Sequence, residues 1–120
     1  MNNREQTATD IVVQNMIAIQ SVLDGLKKDY ADDKHGNVVL SIVTALKHRL
    51  INISYNGSVF IQCCGKNNTS FNSFMIHYFP DLIDDGSASF NPFCVQVFFP
   101  TFKVFEVRTL EELLALLTKY

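Results

Sequence analysis

The amino-acid sequence predicts a single α+β domain over residues 1–120, with two N-terminal helices, an antiparallel sheet of about four to five strands and a C-terminal helix. Three features predict this fold: apolar residues at helical spacing near the N-terminus, an Asn-Gly pair between two apolar segments, and a capped leucine-rich segment near the C-terminus. A chain of 120 residues is also long enough to bury a core without disulfides or a structural metal.

The first predicted helix covers about Thr7 to Asp29. Its apolar residues recur at alternating steps of four and three: Val12, Met16, Ile19, Leu23 and Leu26. This spacing is typical of a helix packed on its own domain and also of a seam between two helices. Because the pattern covers barely two heptads, packing within the domain is favoured, and a dimer seam is the alternative.

A second helix is predicted from Asn37, a good N-cap residue, to about Leu50. Its apolar residues lie on one helical face: Val39, Ile42, Val43, Leu46 and Leu50. Lys47, His48 and Arg49 fall in its last turn, where cations interact favourably with the helix dipole. The β-branched residues of this segment leave a strand as the alternative.

A β-hairpin is predicted around Tyr55-Asn56-Gly57-Ser58, between the strands Ile51–Tyr55 and Ser58–Cys64. Asn-Gly tolerates the positive φ angles that a two-residue type I′ turn requires, and this pair favours such a turn. The segment Gly65–Ser70 is then predicted to be a second turn that leads into the next strand.

Three further strands are predicted at Phe71–Phe79, Asn91–Phe99 and Phe102–Val107, with a loop over Pro80–Ser89. The last predicted element is a helix that starts with a capping box, in which Thr109 is the cap and Glu112 follows three residues later. Leucines supply its apolar face: Leu110, Leu113, Leu114 and Leu117.

The middle strands are apolar on both faces. Simple turn registers place Phe60 and Met75 on the same face as Ile53. A second set then points to the opposite face: Val59, Ile61, Phe74, Ile76 and Tyr78. A sheet with one solvated face alternates apolar and polar residues, so we expect the C-terminal helix, a second layer of strands or another chain to cover the second face.

Two surfaces are therefore candidates for partner binding. One is the helical seam of Val12, Met16, Ile19 and Leu23; the other is the exposed side of the sheet formed by Val59, Ile61, Phe74 and Ile76. A symmetric homodimer is the simplest way to cover such a surface.

The composition argues against several classes of partner. Hydrophobic residues make up 48% of the chain and charged residues 18%, and the net charge of −2 argues against nucleic-acid binding. No apolar segment is long enough to span a membrane, and no signal peptide is evident. Three cysteines, an odd number, fit a reducing compartment, so we expect a cytoplasmic protein.

No motif predicts a catalytic residue, a cofactor or a metal. Neighbouring strand residues point to opposite faces, so Cys63 and Cys64 cannot easily share a metal. The predicted register keeps His77 more than about 10 Å from both thiols. The acidic segment from Asp81 to Asp85 lacks the ligand pattern of an EF-hand, and phosphate-binding glycine motifs are absent.

These observations predict a non-enzymatic protein-binding module. Small α+β proteins of this size and composition are common among toxin-neutralising and virus-encoded inhibitor proteins, so an inhibitor or immunity-type protein is one such module. The alternative is a small-molecule pocket between helices and sheet, with or without catalytic activity. A deep cavity converging on His48, His77 or Cys94 would favour the pocket, and a flat apolar patch would favour a protein partner.

Overall fold

The computed structural model describes residues 3–65, 74–85, 91–98 and 101–120. The predicted α+β class is confirmed: two N-terminal helices precede a five-stranded antiparallel sheet, and a helix follows it. The helices are α1 (Asn3–Tyr30), α2 (Lys34–Leu46), α3 (Pro80–Asp85) and α4 (Leu110–Lys119). The strands are β1 (Leu50–Tyr55), β2 (Val59–Cys63), β3 (Phe74–Tyr78), β4 (Phe93–Val97) and β5 (Lys103–Val107).

Some predicted features lie outside the described residues. They include most of the Gly65–Ser70 turn and the first residues of the Phe71–Phe79 strand. The predicted loop over Pro80–Ser89 begins instead with the short helix α3. This helix starts at Pro80, and proline is favoured at the first position of a helix.

The strands follow one another in space in their sequence order, β1-β2-β3-β4-β5, and every neighbouring pair is antiparallel. Residues opposite one another across a pair share a face of the sheet. Ile61 is opposite both Ile53 and Ile76, and Ile76 is opposite Val95. One face of the sheet is thus continuously apolar from β1 to β4.

The β1–β2 connection is one residue longer than the two-residue turn that the sequence predicts. Tyr55 is opposite Val59, so Asn56, Gly57 and Ser58 form the loop. Of these three residues only Gly57 has a positive φ, at 79°, whereas a type I′ turn needs positive φ at both central residues. A one-residue change in register moves every side chain of a strand to the other face. The predicted grouping of Phe60 and Met75 with Ile53 is therefore wrong.

Replacing Gly57 with valine should lower the free energy of unfolding by about 1–2 kcal/mol, because a β-branched residue resists positive φ. A Cβ atom at this position would meet no atom within 4 Å, so the cost is conformational rather than steric crowding. Urea unfolding monitored by circular dichroism measures it. Gly57→Asn is the matched control, since asparagine tolerates positive φ and should cost less; equal losses in both variants would contradict the assignment.

Helices α1, α2 and α4 contribute to one core that covers one face of the sheet. Leu113 and Leu117 of α4 are buried in it, as predicted, while Leu114 is only partly buried. The buried strand residues alternate along the central strands: Val59, Ile61, Cys63, Phe74, Ile76, Tyr78, Phe93, Val95 and Val97.

This arrangement corrects the predicted exposed side of the sheet. Val59, Ile61, Phe74 and Ile76 are fully buried beneath the helices. They form the core-facing side of β2 and β3, so they are not an exposed surface. The reason is the register of the hairpin, which places them on the same face as Ile53.

The predicted seam of α1 divides between core and solvent. Met16 is 64% exposed, whereas Ile19 and Leu23 are partly buried against the core. The side chain of Val12 lies outside the described part of the chain. Close packing of α1 on β1 depends on Gly25, where an added Cβ atom would lie 2.7 Å from Cδ2 of Tyr55.

The ends of the helices differ in how well the sequence predicts them. Thr109 caps α4 as predicted, because its Oγ1 accepts a hydrogen bond from the backbone N–H of Glu112 at 3.1 Å. Helix α2 begins at Lys34, before the predicted cap Asn37, and it ends at Leu46. Lys47 has a φ of 54°, and the predicted last turn, Lys47–Arg49, is a separate 3₁₀ turn.

Candidate functional site

The face of the sheet opposite the helices is the candidate functional site, and we call it the open face. Two rows of side chains cross all five strands on this face. One row is Asn52, Gln62, Met75, Gln96 and Val104. The other row is Ser54, Phe60, His77, Cys94 and Glu106. All ten residues are partly or fully exposed among the described residues.

The open face is unusual for a solvated surface because Glu106 is the one aspartate, glutamate, lysine or arginine among its ten described residues. The other polar residues are amides, a serine and a histidine, and they alternate with apolar side chains such as Phe60, Met75 and Val104. Depletion of charge together with exposed aromatic and methionine side chains is typical of the centre of protein interfaces.

Two phenylalanines extend this apolar character beyond the ends of β4 and β5. The rings of Phe98 and Phe102 lie 5.4 Å apart between centroids, and Phe102 is 58% exposed. Val104, the outermost residue of its row, is 51% exposed. An apolar region therefore continues along β5, which is an edge strand of the sheet.

His77 lies at the centre of the second row. Its Nε2 is 2.8 Å from Oγ of Ser58, and its ring packs against the rings of Phe60 and Phe79 at centroid distances of 5.7 and 4.3 Å. Burial lowers the pKa of His77 below its usual value, so the imidazole is neutral near pH 7. Among the described residues no carboxylate contacts its ring to orient it as a catalytic base.

Cys94 is opposite His77 on one side and Glu106 on the other. Burial, and then the nearby Glu106 carboxylate, raise the pKa of the Cys94 thiol. A nucleophilic cysteine needs a lowered pKa, so this environment holds the thiol protonated and unreactive.

The sequence did not predict the contact between the strand positions of His77 and Cys94. It depends on β3 pairing with β4 across the 79–92 segment, which is too long for its sequence to specify the register. The sequence analysis considered instead whether His77 lies close enough to Cys63 or Cys64 to form a cysteine–histidine pair, and the predicted register kept them apart. Cys63 is opposite Phe74, three positions along β3 from His77 and on the core face, where burial raises its pKa to about 12.

A groove of about 320 Å³ lies beside the row that contains His77, next to strands β3, β4 and β5. Its lining includes His77, Phe79, Leu82, Asn91, Phe93, Cys94 and Glu106. Nδ2 of Asn91 donates a long hydrogen bond to Oε2 of Glu106, at 3.4 Å. Within the described ranges no group of three or more metal-binding side chains comes together, so the neighbouring His77, Cys94 and Glu106 do not form a metal centre.

A second polar cluster lies on the helix side of the sheet and is structural. Nδ1 of His35, a fully buried side chain, is 2.7 Å from the Tyr78 hydroxyl. The ring of Tyr30 packs edge-on against His35 at 4.4 Å, and its hydroxyl donates to Oδ1 of Asp81 at 2.7 Å. These contacts join the end of α1 and the start of α2 to β3 and α3.

Tyr55 anchors α1 to β1 through a hydrogen bond from its hydroxyl to Asp29. Burial, and then this hydrogen bond, raise the pKa of Tyr55 to about 12, and the same two causes raise the pKa of Tyr30 where Asp81 is the partner. Both hydroxyls therefore stay protonated as donors over the whole physiological pH range.

His48, the third histidine of the sequence, is exposed in the 3₁₀ turn after α2 and lies outside both clusters. The described helices contain no segment long and apolar enough to cross a membrane.

Comparison with known proteins gives no match for this chain at a significant level, whether among family models, curated proteins or solved structures. The function must therefore be argued from the open face itself.

Proposed function

We propose that this protein is a non-enzymatic protein-binding module, of the inhibitor or immunity type, and that it binds its partner through the open face. The observation that carries the proposal is the near absence of charge across ten neighbouring side chains on a face that no helix among α1, α2 and α4 covers. When a partner covers such a surface, the free energy of binding gains about 25 cal/mol for each Å² of apolar surface that is removed from water.

The shape of the surface supports a protein partner. Its rows cross all five strands, and the exposed Phe98, Phe102 and Val104 extend it to the edge strand. Extended exposed apolar areas bind other proteins, whereas small molecules favour enclosed cavities. A second copy of the chain is one partner of this chemistry, in which case the protein is a homodimer.

The location we propose is the cytoplasm. Cys63, Cys64 and Cys94 are free thiols, which fits a reducing compartment.

The second candidate function is small-molecule binding in the groove beside His77 and Cys94. The sequence analysis named His48, His77 and Cys94 as residues on which a ligand cavity could converge. Two of these residues, His77 and Cys94, line this groove, which supports the alternative. With a volume of about 320 Å³ and an open mouth, it is at the small end of ligand sites, so we rank it second.

Site-specific photo-crosslinking in cells that make the protein tests the proposed function. A photoreactive amino acid at Gln96 of the open face should crosslink to one discrete partner. The same group at Thr44, which is exposed on α2, is the matched control and should not. Adding Val104→Glu should abolish the Gln96 crosslink, because it places a charge beside the reactive group.

The mass of the crosslinked product separates the outcomes. A product of twice the chain mass identifies a homodimer, and a larger or smaller increment identifies another protein. Equal crosslinking from Gln96 and Thr44, or a Gln96 crosslink that survives Val104→Glu, would overturn the open face as the binding surface.

A further inference from the structure

The groove beside His77 is lined by the carboxylate of Glu106, which has no ionic partner among the described residues. Glu106 forms no salt bridge within the described part of the chain, and its hydrogen bond to Asn91 is long. Lys103, the basic residue of the same strand, lies on the helix side of β5, with its Nζ 6.0 Å from the centre of the Tyr120 ring. Arg108, two residues beyond Glu106 in the described part of the chain, forms no salt bridge with it. A carboxylate that a partner covers is costly to bury unless a cation meets it.

Two aromatic rings in contact line the same groove. The His77 and Phe79 rings are 4.3 Å apart with an interplanar angle of 32°. Because the imidazole is neutral, it does not repel a cation, and the neutral thiol of Cys94 does not compete with Glu106 for one. Aromatic faces attract cations, and they favour planar ones that can stack.

A planar cation with several donors suits this set of groups better than an ammonium ion. A guanidinium group donates two parallel hydrogen bonds to a carboxylate and stacks on an aromatic face at the same time. Asn91 adds a side-chain carbonyl acceptor at the same end of the groove. The apolar side chain of Leu82 can pack against the methylene stem of an arginine.

The volume of the groove limits the ligand. About 320 Å³ with an open mouth accommodates one long side chain and is small for a drug-sized molecule. The groove is also continuous with the open face, since His77, Cys94 and Glu106 belong to both.

We infer that this groove binds the guanidinium group of an arginine side chain that the protein partner presents to the open face. The inference rests on the proposed function and makes it more specific. Arginine is enriched at interface hot spots, where one buried and paired side chain supplies much of the affinity. Glu106 is then the charge partner, and the ring pair His77–Phe79 is the stacking surface.

The probe that tests this is N-acetyl-arginine methylamide, titrated into the isotope-labelled protein and monitored by backbone amide NMR. The matched probe is the citrulline compound, which has nearly the same shape without the charge. We expect saturable shifts at His77, Cys94 and Glu106 with a Kd on the order of a few millimolar. We expect the citrulline compound to bind about tenfold more weakly, and the lysine compound more weakly than arginine.

Two variants complete the experiment. Glu106→Gln should weaken arginine binding about tenfold. Glu111→Gln, which changes another exposed glutamate, on α4, should leave it unchanged. The amide spectrum of each variant reports whether the fold is retained. Equal binding of arginine and citrulline, unchanged binding by Glu106→Gln, or no saturable shift up to about 50 mM would overturn the inference.

This result is separable from the test of the proposed function. If the Gln96 crosslink depends on Val104 while arginine fails to bind, the open face is still the interface and the groove does not hold a guanidinium. If arginine binds through Glu106 while Gln96 gives no crosslink, the groove is an independent cation site and the open face is not an interface.

Discussion

Replacing Leu113 with alanine should lower the free energy of unfolding by about 2–5 kcal/mol. The Leu113 side chain is fully buried where α4 packs in the core, so its removal loses apolar contacts and leaves a cavity. The free energy of unfolding of a domain of this size is about 5–15 kcal/mol, so a loss of about 5 kcal/mol would leave much of a marginally stable protein unfolded. Denaturant unfolding followed by circular dichroism measures the change.

Leu40→Ala is the control for this experiment. Leu40 is also a leucine in a helix, but its side chain is 43% exposed on α2, so its truncation should cost much less. Similar losses for Leu40→Ala and Leu113→Ala would contradict the position of α4 on the sheet.

Tyr78→Phe should cost about 1–3 kcal/mol, because it removes the hydroxyl that pairs with Nδ1 of the buried His35. The ring of Tyr30 encloses the imidazole from another side, so rearrangement to reach water is restricted. Thermal and urea unfolding measure the loss. Tyr120→Phe is the control, since the described residues offer the Tyr120 hydroxyl no hydrogen bond and the ring contacts remain.

A double variant gives the sharper test of the His35–Tyr78 pair. Replacing both partners with apolar residues, His35→Leu together with Tyr78→Phe, should cost less than the sum of the two single losses, because the second change no longer breaks a contact that the first has already removed. Strictly additive losses would show that the two side chains act independently.

The sequence predicts the fold class, the hairpin and the cap of α4, because each depends on a local signal. Asn56 and Gly57 mark the hairpin, and Thr109 with Glu112 marks the start of α4. Such signals act over three or four residues and are independent of the rest of the chain.

The faces of the sheet could not be predicted with the same accuracy. A two-residue and a three-residue loop at Gly57 are both common hairpin connections, and the loop length decides whether Ile61 or Phe60 faces the core. Both side chains are apolar, so the hydrophobic pattern of the sequence does not determine which of them is buried. The helices decide, by covering the face that carries Ile53, Ile61 and Ile76.

The candidate site was even less accessible to sequence analysis. Glu106, His77 and Cys94 come from three strands, and their alignment depends on two registers that no turn motif specifies. A signal was present in hindsight: the strand residues Met75, His77, Cys94 and Gln96 alternate with large apolar residues and include no lysine or arginine.

Strand order in this sheet has a consequence for how the chain folds. Each strand pairs with its immediate successor, so the sheet can assemble by adding one hairpin at a time, with little loop-closure entropy lost at each step. The slow step is then the docking of the helices. The hydrogen bond from Nη1 of Arg49 to the carbonyl oxygen of Leu117 joins residues 68 positions apart, so it closes a loop that contains all five strands. Rapid local pairing followed by a rate-limiting closure between α2 and α4 is the folding order that this topology favours.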